Sequence, residues 1–320
     1  MGRPRLAITL GDPRGIGPEI AARAVREPEP IAADVVLIGP EGVGIAPDID
    51  LMPVGRWSAT DPASAAGRLS VLAVERAVAL VSSGEVDAIV TAPIFKPALA
   101  AAGYPWAGHT EMLRDLVGTP KTALCLSAER TQLGSPLRVV LATGHVPLRS
   151  VPRLYTIDVL CGVGHLTHDG LRRWWGVERP RLAVCAINPH ASDSGLFGDE
   201  ESRVCEPAIA RLRAEGLRVD GPYPADTVFL RAMKGEADAV IAPYHDVGMA
   251  AIKTACFGAG VNVTLGLPFP RTSPDHGTAF DIAGTGKADP ASMRAALELA
   301  LSFVGRVLTS KTESNRLAGR

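Results

Sequence analysis

Residues 6–19 read Leu6-Ala7-Ile8-Thr9-Leu10-Gly11-Asp12-Pro13-Arg14-Gly15-Ile16-Gly17-Pro18-Glu19. A continuous apolar run is followed by three glycines in a tight stretch and then by a proline. The run has the length and composition of a strand covered on both faces. Pro18 suits the first turn of a helix, where its missing N–H costs nothing, and a helix is expected over Pro18–Arg26. The segment is therefore a strand–turn–helix unit. Its glycine turn is neither a Rossmann GxGxxG nor a P-loop, because no Gly-Lys-Ser/Thr follows. A glycine-rich turn at a helix start can approach an anion closely, and it can equally be only a tight turn.

The same alternation continues along the chain. Further strands are expected at Asp34–Gly39, Val86–Ala92, Leu137–Ala142, Arg181–Ile187, Ala237–Pro243 and Val261–Leu265. Between them, helical patterns run over Ala63–Ser83, Glu111–Val117, Thr156–Trp174, Glu200–Glu215, Asp246–Cys256 and Pro290–Leu308. Alternating short apolar runs and longer amphipathic ones argue for an α/β fold with parallel sheets built from βαβ units. Residues 84–93 (GEVDAIVTAP) echo residues 235–243 (GEADAVIAP), as equivalent parts of two similar halves would. The polar end, Ser310–Arg320, reads as frayed.

At 320 residues the chain should hold about two domains, and 47% hydrophobic residues suffice for two cores. There are 33 Lys and Arg against 34 Asp and Glu, for a net charge of −1. That balance argues against nucleic acid as a partner, though a small anion needs only a local cation cluster. The five cysteines include no CxxC pair, which argues against a disulfide framework or a cysteine zinc site and for a reducing, cytoplasmic setting. The N-terminus leads straight into a strand, so no signal peptide is expected. No apolar run reaches the ~18 residues of a membrane span.

Three histidines follow expected strands: His145, His190 and His245. Ligands of open α/β sheets bind beyond the carboxyl ends of the strands. Three imidazoles converging there would form a catalytic divalent-metal site; each alone is an ordinary loop residue. Lys253, Asn262 and Arg271 form a basic and polar set suited to phosphate or carboxylate, or else are surface residues. The loop His276–Gly284 is rich in small residues and carries Asp281. It could wrap an adenosine or be a plain turn. His165 and His168, on a helical pattern without a partner motif, read as solvated or capping.

Seven motifs in order carry a resemblance: GDPRGIGPEI (11–20), AGHTEML (107–113), ATGHVPLRSV (142–151), INPHASDSGLFGDEE (187–201), GPYPADTVF (221–229), APYHDVGMAAIK (242–253) and residues 260–290. From Ile8 to about Met293 the chain resembles the 4-hydroxythreonine-4-phosphate dehydrogenases of pyridoxal phosphate (vitamin B6) biosynthesis. The resemblance implies two α/β/α domains of isocitrate/isopropylmalate-dehydrogenase type, with the active site in the interdomain cleft at a dimer interface. Residues 1–108 with 266–320 would form the cofactor-side domain. Residues 109–265 would form the metal, substrate and dimerisation domain.

The resemblance also implies roles. His145, His190 and His245 would bind a divalent metal (zinc, magnesium or cobalt) in a site shared between the subunits of a homodimer. His109, Thr110, Lys253, Asn262 and Arg271 would bind a small phosphorylated hydroxy acid. Lys253 or Asp226 would serve catalysis, and Gly277, Thr278, Asp281 and Ile282 would hold NAD or NADP. The implied reaction oxidises 4-phosphohydroxy-L-threonine, whose product then decarboxylates. Ile94-Phe95 departs from the small residue or histidine common there in the family. Relatives act instead on D-threonate or D-erythronate 4-phosphate or on aromatic cis-dihydrodiol dicarboxylates. The dihydrodiol branch tends to lose the Gly-His-Thr and Arg-Thr-Ser motifs that this chain keeps at 108–110 and 271–273. A catalytically idle metal-binding or scaffolding protein is the alternative outside enzymes.

Overall fold

The computed structural model describes residues 3–256, 258 and 260–318. The chain divides into two compact units, one formed by the residues up to Pro120 with those from Leu267 onward, the other by Lys121–Gly266. The first begins with β1 (Arg5–Thr9), α1 (Gly17–Arg26), β2 (Asp34–Glu41), β3 (Leu51–Arg56), α2 (Ala63–Ser82), β4 (Ala88–Thr91), α3 (Lys96–Ala101) and α4 (His109–Val117). The second holds β5 (Ala123–Ala128), β6 (Leu137–Leu141), α5 (Val151–Leu154), α6 (Ile157–Arg173), β7 (Arg181–Cys185), α7 (Glu206–Ala214), β8 (Arg218–Tyr223), α8 (Ala225–Met233), β9 (Ala239–Ala242), α9 (His245–Cys256) and β10 (Val261–Leu265). The chain then returns to the first unit with β11 (Arg271–Pro274) and α10 (Ala291–Ala318). The helix of His109 thus lies in the first unit, whereas the sequence-based boundary at 108/109 puts it in the second. The last helix runs on to Ala318 instead of stopping at Leu308.

In the first unit the strands lie in the order β3-β2-β1-β4-β11, all parallel. Ala7 pairs with Val36 and with Ile89, so these three side chains point to one face. There they join Val71, Val74 and Val78 of α2 and Met112 and Leu113 of α4 in one core cluster. Their strand neighbours Leu6, Ile8, Leu37 and Val90 are also fully buried, since α10, backed by α1, packs on β4 and β11. Both faces are covered, which explains why the strands read as unbroken apolar runs.

The second unit has the order β10-β5-β6-β9-β7-β8. Here the expectation of parallel sheets fails in part. β5 is antiparallel to both β10 and β6, while β6–β9, β9–β7 and β7–β8 are parallel. The physical reason is connection length: only residues 129–136 separate β5 from β6, too few for the crossover that parallel neighbours need. One face packs Val139, Val240 and Ala183 against Val228 of α8 and Ile252 of α9. α6 lies against β5, β6, β7, β9 and β10. One polar cluster is built into this unit. Arg138 and the indole N–H of Trp175 both donate to the Glu129 carboxylate, at 2.7 Å each. Burial pushes the Glu129 carboxyl up, but the Arg138 charge and these hydrogen bonds outweigh it and hold it below the ordinary range.

Ile89 is fully buried beneath α2. Ile89→Ala should lower unfolding stability by about 2–5 kcal/mol, through lost burial and the cavity left behind. Urea melts of the two proteins check this; an unchanged midpoint would contradict the packing described.

Candidate active site

The first unit builds a preformed cavity on the turn at residues 11–17. Gly11 has φ +69°, and a Cβ there would lie 2.1 Å from the carbonyl oxygen of Pro93, so only glycine fits. Asp12 is fully buried, and its carboxylate accepts from the backbone N–H of Arg14 (3.0 Å), from Arg14 Nε (2.9 Å) and from Arg14 Nη2 (2.7 Å). The guanidinium so held lies 5.5 Å from the ring centre of Phe95 and 5.1 Å from that of Phe280. The two rings meet edge to face at 5.0 Å. The departure at Ile94-Phe95 thus supplies half of an aromatic wall for Arg14.

The loop after β11 is fastened to this turn and to α1 at four points. Ile16 N–H donates to Thr278 O (2.9 Å), and Gly284 N–H donates to Glu19 Oε2 (3.1 Å). Arg23 Nη1 donates to Ala288 O (2.6 Å), and Phe280 packs on Arg14. Between the fastenings lies a cavity of about 560 Å³, lined among others by Arg14, Gly15, Glu19, Arg23, Gly44 and Gly284. That volume suits a nucleotide-sized ligand. The lining falls on Ala283, Gly284 and Gly286 rather than on Gly277, Thr278, Asp281 or Ile282. Thr278 is buried and spends its carbonyl on Ile16, while Gly277 and Asp281 are exposed. The glycine motif is legible in the sequence as a turn for an anion. Arg23 and Gly44 carry no such signal, since nothing local marks them.

Also in the first unit, Arg271 opens β11 and is only 3% exposed. Its Nη2 donates to Thr91 Oγ1 on β4, the neighbouring strand. Burial pushes its guanidinium down to about 9, so it remains a cation at neutral pH. His109 opens α4, followed by the half-buried Thr110. Burial, and then the Arg271 charge, hold the His109 imidazole well below its ordinary range, so it is neutral at pH 7. Its Nε2 is shut from solvent with no hydrogen-bond partner in the protein. A buried cation beside a neutral imidazole forms a setting for a phosphate or carboxylate.

In the second unit β6 and β9 pair in parallel with Leu141 opposite Ala242. The two chains therefore leave the sheet together, and Ala142 N–H donates to Ala242 O (2.9 Å) and Thr143 Oγ1 to Pro243 O (2.8 Å). A few residues on, the rings of His145 and His245 lie with centres 5.1 Å apart and planes tilted by 44°. They line a hollow of about 150 Å³ with Gly144, Val151, Tyr244 and Asp246. His245 Nδ1 and Asp246 Oδ1 are 2.7 Å apart. This pairing leaves Nε2 to face a ligand, as is usual for metal-binding histidines.

His190 does not join them. Among the described residues, no three His, Cys, Asp or Glu side chains form a group able to hold a metal ion. His190 instead heads an exposed turn in which five successive non-glycine residues, His190 to Ser194, have positive φ, between 44° and 66°. Asp226 sits exposed in the first turn of α8 and lines a separate, largely apolar groove with Leu133, Phe229 and Val247. Lys253 is exposed on α9, eight residues after His245, or about 12 Å along the helix axis. Asn262 is half-buried on β10.

The chain matches the family model described as "Pyridoxal phosphate biosynthetic protein PdxA" over residues 18–300. It is 44% identical to the 4-hydroxythreonine-4-phosphate dehydrogenase of Aromatoleum aromaticum, over 94% of this chain and 97% of that protein. Among solved structures it resembles the Klebsiella pneumoniae 4-hydroxythreonine-4-phosphate dehydrogenase at TM-score 0.84 and 39% identity, covering 95% of this chain and 100% of that one. A terephthalate 1,2-cis-dihydrodiol dehydrogenase from Burkholderia xenovorans is more distant, at TM-score 0.64 and 30% identity, covering 93% and 97%. An isocitrate dehydrogenase from Methylococcus capsulatus shares the fold alone, at TM-score 0.58 and 16% identity over 94% and 86%.

The His109 environment can be read directly. In an NMR pH titration its protonation midpoint should fall well below the ~6.5 of an ordinary imidazole. Arg271→Met should raise that midpoint by removing the neighbouring positive charge. A wild-type midpoint at or above the ordinary value would contradict the geometry.

Proposed function

The chain belongs to the pyridoxal phosphate biosynthetic protein PdxA family, and from that premise we propose that it oxidises 4-phosphohydroxy-L-threonine with a nicotinamide cofactor. As a member of this dehydrogenase family it is an oxidoreductase acting on a CH–OH group. The observation that carries the phosphorylated substrate is the buried Arg271 beside neutral His109. A buried guanidinium calls for an anionic group on the substrate, and the 4-hydroxythreonine-4-phosphate named for the relatives would supply one as its phosphate. Thr110, Lys253 and Asn262 complete the proposed substrate contacts.

Residues of this chain fit a divalent metal in part. His145 and His245 offer two imidazole nitrogens on rings whose centres already lie 5.1 Å apart, a donor set that suits zinc or cobalt better than magnesium. His190 of a second copy is the proposed third ligand, which makes the site a shared one in a homodimer. Exposed large apolar side chains concentrate in the second unit, with Leu133, Leu148, Leu196, Phe197 and Leu230 among them, and we assign the dimer contact to that unit. A metal bound there supplies Lewis-acid polarisation of the substrate hydroxyl. The cavity lined by Arg14, Glu19, Arg23 and Gly284 would hold NAD or NADP, which would supply the hydride acceptor.

The chain's own part is to bind, orient and move a proton. Arg271 and His109 anchor the phosphate end. Lys253 in its neutral form, directly or through a water, would accept the hydroxyl proton as the C–H hydride departs, and Asp226 is the second candidate; within one chain neither lines the hollow of His145 and His245. The oxidised product, 2-amino-3-oxo-4-phosphooxybutanoate, is a β-keto acid. Its C–C bond to the carboxylate breaks and carbon dioxide leaves, giving 3-amino-2-oxopropyl phosphate. The setting is the cytoplasm: all five cysteines are buried thiols, and burial pushes Cys125 and Cys185 up to about 12. No described helix is long and apolar enough to cross a membrane.

Purified protein with NAD, a divalent metal and 4-phosphohydroxy-L-threonine should produce NADH. Arg271→Ala should cost about 100-fold or more in kcat/KM, the scale of a lost charged contact. NADH from D-threonate or D-erythronate 4-phosphate alone would move the substrate to those acids. The shared metal site has its own test. His190→Ala and His245→Ala, each inactive, should regain partial activity when mixed and re-associated, because one hybrid site then has all three histidines. No recovery would place the ligands within one chain.

A further inference from the structure

The cavity beside α1 has a charge arrangement with a consequence for the cofactor. Two arginines line it, but both are engaged by carboxylates close in sequence. Arg14 is held on two sides by Asp12. Arg23 donates to Glu27 through Nε and Nη2 and to Ala288 O through Nη1. The remaining charged group on the wall is Glu19, in the first turn of α1. One of its oxygens accepts from Gly284 N–H, which fixes the carboxylate against the loop. Its other oxygen, Oε1, is buried with no hydrogen-bond partner in the protein. Such an acceptor is costly to leave unmade until a donor reaches it.

We propose that Glu19 sets the cofactor preference of this chain, accepting a ribose hydroxyl of NAD and repelling the 2′-phosphate of NADP. The inference rests on the nicotinamide-linked reading of the chain and names the group that chooses between the two cofactors. The chemistry is general. A carboxylate satisfies a ribose 2′-OH, whereas a 2′-phosphate needs an arginine available to it. In this cavity the arginines already have anionic partners and the carboxylate has an acceptor to spare. Oε1 is closed off from solvent, so a ligand reaches it when the 283–286 backbone, glycine-rich and exposed at Gly284 and Gly286, moves aside.

Calorimetric titration of the full chain with NAD and with NADP, with no substrate added, tests this without an activity readout. Wild type should bind NAD at least tenfold more tightly than NADP. Glu19→Gln keeps an acceptor for Gly284 N–H and should narrow that ratio at least tenfold, mainly by gaining NADP affinity. Glu19→Asp should keep the preference for NAD. Ala22→Trp, which fills the cavity wall, should lose both dinucleotides. If Ala22→Trp binds NAD as wild type does, the cavity is not the cofactor site, and the proposal falls with that reading. Should Ala22→Trp lose binding while Glu19→Gln keeps the wild-type ratio, only the role of Glu19 is overturned. A ratio moved by Asp281→Asn and not by Glu19→Gln also overturns that role, as does a wild type that prefers NADP.

Discussion

β6 and β9 run side by side in parallel, and that pairing leaves the segments carrying His145 and His245 no choice of edge. Parallel neighbours end at the same side of a sheet, so whatever follows them emerges together. The offset is small. His145 comes four residues after Leu141 and His245 three after Ala242, and Leu141 and Ala242 are partners. Two histidines a hundred residues apart thereby come within ring-contact distance. The constraint is hydrophobic at its root: Val139, Leu141, Val240 and Ala242 sit under α8 and α9, and a slip of one residue would turn each of them to the other face.

The buried cation of the first unit follows a different logic. A guanidinium out of water is tolerated because it is hydrogen-bonded, here to Thr91 on the adjacent strand. The arrangement also decides the state of its neighbour. Burial alone disfavours a charged imidazole, and the nearby positive charge disfavours it further, so His109 is held neutral by two effects of one sign. A neutral ring can both donate and accept, which a protonated one cannot.

Much of this is legible in the sequence, and the limits have physical causes. Strands covered on both faces announce themselves as apolar runs, as β1, β2, β4, β6, β7, β9 and β10 do. β11 does not, because Arg271, Thr272, Ser273 and Pro274 are buried without being apolar. β3 contains Pro53 and Gly55 and lies at a sheet edge, while β8 contains Gly221 and Pro222; such residues hide a strand from pattern reading. β5 (ALCLSA) has an apolar start but breaks off at Ser127, so it escapes the same reading, and the antiparallel pairs escape with it. In the candidate site, histidines that follow strands can be picked out one by one. The cavity beside α1 cannot, since it needs α1, Gly44 and the 283–286 segment at once, and no local pattern joins them.

The turn at His190 shows how a fold can hold a conformation its residues disfavour. Five non-glycine residues in the left-handed region cost roughly 1–2 kcal/mol each. Such a run persists only when its ends are over-determined. They are: the backbone N–H groups of Ile187 and Asn188 both donate to Glu201 Oε1, at 2.9 and 2.8 Å. Asn188 Nδ2 also donates to Glu200 Oε2 and Glu201 Oε2, at 2.7 and 2.8 Å. Glu201 is buried at 1% exposure, so these bonds act in a low-dielectric setting where each is strong. Inside the turn Ser192 is buried, and its carbonyl accepts from Gly195 and Phe197. The strand end is thus clamped from below and the turn closed from above, and the histidine between is left exposed on a backbone that has little freedom to relax.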